Sequence, residues 1–103
     1  AWITRHPEIL SEELGAPIVI MGLMRTGTTM LHRILASDPR NHAADWWEVR
    51  FPAPPLDLDF GKPDPRIVAA RAEVKAILDA DPRQASIHPW DAEAPDEEIM
   101  LLE

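Results

Sequence analysis

No cysteine occurs among the 103 residues, which excludes a disulfide framework and any thiolate metal site and leaves the redox compartment open. Basic residues are also few. Ten lysines and arginines against eighteen acids give a formal charge of −8, and with no basic stripe along the chain, non-specific binding to nucleic acid is not expected. Apolar runs fall far short of the ~20 residues that a membrane span needs, and no signal-peptide pattern opens the chain, so a cytoplasmic location is the expectation. His6, His32, His42 and His88 lack the spacing of a metal site, so no metal is expected. An apolar content of 46% supplies one small core, yet a complete nucleotide-binding α/β domain usually needs several βα units.

What the chain has is a strand-like run feeding a glycine-bracketed loop. Ile18, Val19, Ile20 and Met21 suit a short strand buried on both faces, and Gly22 ends it. Gly22 and Gly27 are spaced GxxxxG, and beyond them Met30, Leu31, Ile34 and Leu35 recur at helical spacing, which predicts a helix over about 28–37. The first N–H groups of such a helix are unpaired, and its dipole places roughly half a positive charge at that end. The junction is therefore suited to phosphate or sulfate.

A triphosphate loop reads GxxxxGK[ST], with a lysine on the β/γ-phosphates and a hydroxyl on Mg²⁺. Here Gly27 is followed by Thr28 and Thr29, and the cation is Arg25, ahead of the glycine. Such a loop can hold a 5′-phosphate and a group attached to it, without the apparatus for a metal-bound triphosphate. The run Arg25-Thr26-Gly27-Thr28-Thr29 resembles the 5′-phosphosulfate loop of sulfotransferases that use 3′-phosphoadenosine-5′-phosphosulfate (PAPS). The likeness continues through Asp38-Pro39, Trp46-Trp47-Glu48, the prolines at 52, 54 and 55, and His88-Pro89 ahead of Ala94-Pro95-Asp96-Glu97-Glu98. That order resembles the bacterial-type sulfotransferase family over about residues 17–103, most specifically at the loop.

The resemblance implies an α/β fold, a P-loop-type parallel sheet flanked by helices, with residues 1–103 forming the N-terminal part of a single sulfotransferase domain. The groups for the 3′-phosphate and adenine would lie further along. It implies sulfuryl transfer from PAPS as co-substrate to a hydroxyl or amine of a small molecule, with no metal. Backbone N–H groups of Thr26, Gly27, Thr28 and Thr29 would hold the 5′-phosphate, and Arg25 would meet charge on the bridging oxygen. Glu48 is the candidate base: apolar neighbours raise a carboxyl's pKa and make it a better proton acceptor, and related enzymes with Arg in the loop place a Glu shortly after the loop helix. Its alternative is a structural carboxylate paired with Arg50 or Arg25. His88 is the rival base. Two other functions stay open: a kinase or nucleotide hydrolase with a degenerate loop, and a non-catalytic interaction domain that keeps the loop as architecture.

Around the loop, Pro7–Leu14 reads as a short helix stopped by Gly15, and residues 41–47 as a stretch able to hold a second strand. Prolines between Phe51 and Pro65 exclude regular structure there. Asp64-Pro65 opens a helix to about Ala80 that buries Ile67, Ala70, Val74, Ile77 and Leu78, and Asp81-Pro82 ends it. Asp96, Glu97 and Glu98 read as the solvated first turn of a final helix from Pro95. A helix hydroxyl, Thr28 or Thr29, is expected as the N-cap of the loop helix, His32 as a packed or hydrogen-bonded histidine and Arg33 as a solvated side chain.

Overall fold

Pro65–Ala80 forms the longest helix in the computed structural model, which describes residues 2–23, 25–98 and 101. Its start is chemically explicit: Asp64 accepts the Arg66 N–H at 2.9 Å, and Pro65 supplies a preset φ where no N–H is needed. In chain order α1 is Trp2–Arg5, followed by a 3-10 turn at Pro7–Ser11; α2 is Thr28–Ala36, α3 Trp46–Arg50, α4 this long helix and α5 Gln84–Ile87.

The core lies where α3 packs on α4. Ala70 is fully buried at 0% exposure, which lets Trp46 and Ala92 close over the helix beside Val74. Trp90 meets Trp46 edge-on at 5.1 Å and 79°, the arrangement that the ring quadrupole favours. Trp47 lies beneath the Arg66 guanidinium at 4.7 Å from its ring centre. The stretch 51–64 carries no helix or strand and is tied back by the Trp2 indole N–H on the Pro54 carbonyl at 2.6 Å.

One tripeptide recurs as punctuation. Asp38-Pro39-Arg40, Asp64-Pro65-Arg66 and Asp81-Pro82-Arg83 each fold so that the aspartate accepts the backbone N–H and the guanidinium of the arginine two residues on. Those guanidinium bonds hold all three carboxyls below the ordinary value of 3.8. The first follows α2, the second opens α4 and the third ends it.

Several expected elements take another form. Among the described residues there is no strand: Ile18–Met21 is irregular, with Ile18, Val19 and Met21 at 66%, 70% and 89% exposure. A doubly buried strand exists only between neighbouring strands, and here nothing pairs with this run among the described residues. The candidate strand at 41–47 reduces to a single antiparallel bridge, Asp45 to Pro95, because α3 begins at the next residue. The helix at Pro7–Leu14 is the shorter 3-10 turn, and Leu10 and Leu14 are exposed. The helix expected from Pro95 falls partly on residues 99, 100, 102 and 103, outside the described residues; Asp96 itself is non-helical. The Cα radius of gyration is 15.6 Å, against about 13 Å for a compact chain of this length.

Ala70 has no space for a larger side chain, so Ala70→Leu should cost about 1–3 kcal/mol in urea unfolding. Ala72→Leu, on the exposed side of the same helix, should stay within about 0.5 kcal/mol of wild type.

Candidate functional site

The glycine loop closes on itself before α2 begins. Thr26 Oγ1 donates to the Leu23 carbonyl at 2.6 Å, and Gly22 lies so near that a Cβ there would come within 2.7 Å of Thr28 Cγ2 and 2.9 Å of Thr26 Oγ1. Arg25 and Gly27 both take left-handed backbone, with φ of 64° and 91°. For arginine this is an uncommon conformation, and it turns the chain sharply into the helix.

Gly27, not a threonine hydroxyl, is the N-cap of α2, and no side chain caps that end. The first bond along the helix runs from Leu31 N–H to the Gly27 carbonyl at 3.0 Å. The N–H groups of Thr28, Thr29 and Met30 precede it, which leaves the anion-binding donors of the helix start uncommitted. Thr29 Oγ1 instead reaches Glu97 Oε1 at 3.4 Å.

The other wall of the site is the segment 87–98. Arg25 Nη1 donates to the Ile87 carbonyl at 2.6 Å. Arg33, expected in solvent, holds the Pro89 carbonyl at 2.9 Å through Nη2 and the Pro95 carbonyl at 3.4 Å through Nε. His32 Nε2 lies 3.7 Å from Glu98 Oε1. The polar side of α2 thus docks on this segment, while Met30, Leu31 and Ile34 stay exposed.

These contacts bring His88 next to the residue that anchors Arg25. Its Nε2 bonds Asp96 Oδ2 at 2.7 Å, and its ring stands edge-on to Trp90 at 4.9 Å. Asp96, expected as a solvated helix start, is 2% exposed. Sequence reading missed it because an aspartate followed by two glutamates is the pattern of a helix N-terminus in water; only the prolines at 89 and 95 hint at a chain bent back on itself.

Glu48 sits elsewhere in the hydrogen-bond network. It is the third residue of α3, and its Oε2 takes the Asp45 N–H at 2.9 Å as half of a capping box. His42 Nε2 is 3.6 Å from the same oxygen. The ion pairs considered for Glu48 do not form among the described residues: Arg50 bonds Glu73 at 2.9 Å and Arg25 bonds Ile87. The carboxyl of Asp45 is pushed above its ordinary value by burial first and by the Glu48 charge second.

No group of three or more potential metal ligands occurs among the described residues. None of the described helices is long and apolar enough to cross a membrane. Two open grooves lie away from the loop; the larger of these, about 560 Å³, runs between α1 and the proline-rich stretch and is lined by Trp2, Arg5, Ile9, Leu56 and Phe60 among others.

A family model described as the sulfotransferase family matches residues 17–103. The chain belongs to the sulfotransferase family. The chemistry of this family is sulfuryl transfer, generally from PAPS and to small-molecule acceptors, and the family implies a P-loop-like α/β fold, whose sheet is not seen among the described residues. No curated protein and no solved structure matches the chain.

Because its folded-state value is raised, Asp45 favours folding more when protonated, so its contribution to stability rises as pH falls through that value and shrinks above it. Asp45→Asn keeps a good N-cap residue. Asn mimics the neutral carboxyl, so the variant should lack the wild type's gain on acidification: the two should converge near pH 3, with Asp45→Asn at least as stable as wild type near neutral pH, measured by thermal melts from pH 7 to pH 3.

Proposed function

We propose that this chain carries the 5′-phosphosulfate half of a PAPS-dependent sulfotransferase site, as the N-terminal part of a larger domain. The observation that carries the reading is the uncapped start of α2 behind a self-closed glycine loop, with Arg25 beside it. The residues fit a phosphosulfate: the N–H groups of Thr26 to Thr29 are the natural holders of the 5′-phosphate, and PAPS supplies the activated sulfuryl group. Arg25 spends only Nη1 on Ile87 among the described residues, so its remaining donors are free to meet negative charge on the bridging oxygen as the sulfuryl group departs.

His88 is the better-supported base, because Ile87 ties its backbone to Arg25, and no described neighbour bonds its Nδ1. The acceptor's proton passes to that nitrogen, the acceptor's lone pair forms the new bond to sulfur, and the old sulfur–oxygen bond breaks with its electrons left on the 5′-phosphate. Glu48 is the second reading, favoured by an Oε1 that the capping box leaves free. The acceptor is a hydroxyl or amine.

The full-length protein should bind 3′-phosphoadenosine-5′-phosphate in the presence of a chelator, more tightly than it binds ATP with magnesium, by calorimetry. Magnesium-dependent ATP binding of equal or greater strength would replace this reading with the kinase or hydrolase one.

Transfer of labelled sulfuryl from PAPS to a panel of alcohols, phenols and primary amines separates the bases. His88→Asn should lower turnover by about 10²- to 10⁴-fold, while Glu48→Gln, which keeps a capping residue, should cost far less. The reverse order would assign the proton to Glu48. Loss in neither would show that the acceptor needs no protein base.

A further inference from the structure

The buried carboxylate behind His88 has no role in the reading so far. Asp96 is 2% exposed, and neither of its oxygens is idle: Oδ1 accepts the Glu97 N–H at 2.7 Å and Oδ2 faces His88 Nε2 at 2.7 Å. Its own N–H donates to the Ala44 carbonyl at 3.2 Å, beside the bridge from Asp45 to Pro95. The carboxylate is therefore fixed by the backbone before it meets the imidazole.

The imidazole is fixed in turn. The backbone N–H of His88 donates to the Gln84 carbonyl at 3.0 Å at the end of α5, the ring stands against Trp90, and the side chain is 22% exposed. A carboxylate can only accept, so the proton of a neutral His88 resides on Nε2 and the lone pair on Nδ1. A solvated acid in a helix start does none of this. Burying a carboxylate is costly unless it is paired and hydrogen-bonded, and the partner here is a histidine beside an anion loop rather than one of the chain's arginines.

We infer that Asp96 is a positioning residue that holds His88 as the Nε2–H tautomer and presents Nδ1 as the proton acceptor for sulfuryl transfer. The inference rests on the sulfotransferase reading for its last step, but the His88–Asp96 pairing stands apart from it. When Nδ1 takes the acceptor's proton, the imidazolium that forms shares its Nε2 proton with Asp96, whose negative charge offsets it.

Nitrogen NMR of the ¹⁵N-histidine-labelled full-length protein, with His88 assigned by the signals that His88→Asn removes, tests this without any turnover. At a pH where His88 is neutral, Nε2 should appear protonated and Nδ1 bare. The opposite pattern, or an even mixture, overturns the proposal, and it does so on wild-type protein whether or not a variant folds. In Asp96→Asn the amide can donate as well as accept, so the Nδ1–H form should gain population. Transfer to the panel should fall by about 10²- to 10⁴-fold, with binding of 3′-phosphoadenosine-5′-phosphate unchanged. A shifted tautomer with unchanged turnover would make Asp96 a structural partner only. Should the wild type neither bind that nucleotide nor transfer sulfuryl, the sulfotransferase reading fails, and the NMR result still decides the pairing.

Discussion

Everything around the site hangs on how the first turn of α3 finds partners for its backbone donors. A helix start leaves its first N–H groups unpaired, and here the chain fills them from a distance: Trp46 and Trp47 donate to the carbonyls of Ala94 and Ala92 at 3.0 and 3.1 Å. Two bonds from a helix of five residues thereby fix a segment nearly fifty residues away. Ala92 is pressed into the core and Asp96, a few residues on, is turned inward against His88. Packing and chemistry share one joint.

The second joint is electrostatic. Arg25 and Arg33 give guanidinium donors to the carbonyls of Ile87, Pro89 and Pro95, and a charged donor on a neutral acceptor makes a stronger bond than an amide does. Prolines at 89 and 95 have no N–H to offer in return, so this stretch presents mainly acceptors. The match between a basic side of α2 and an acceptor-rich strip brings the loop and His88 together, even though the apolar side of that same helix stays uncovered.

The sequence made the loop legible because glycine spacing, an arginine and two threonines carry their chemistry locally. The same holds for α4, where proline, aspartate and a repeating apolar face agree. What depended on distant contacts was hidden. Ile18–Met21 reads as a strand from its side chains alone, but a strand is a property of neighbours, and none of the described residues provides them. Glu48 reads as a candidate base because two tryptophans precede it; that it also completes a capping box, as third residue of a helix opened by Asp45, is not visible in that pattern. The inward turn of Asp96 could not be seen, since it arises from backbone bonds to residues around 44–47 that no local pattern announces.

The three Asp-Pro-Arg turns close between residues two apart, so none of them needs the folded core to form. Where such turns persist in the denatured chain, they narrow that ensemble, and their contribution to stability comes through the entropy that the unfolded state has already lost. The lowered pKa of their carboxyls then belongs partly to both states and cancels to that extent in the pH dependence of folding. They act as fixed brackets: one tripeptide opens α4 and the same tripeptide shuts it, because proline can begin a helix but cannot continue one. The length of the longest helix is thus set by spelling, independently of what packs against it.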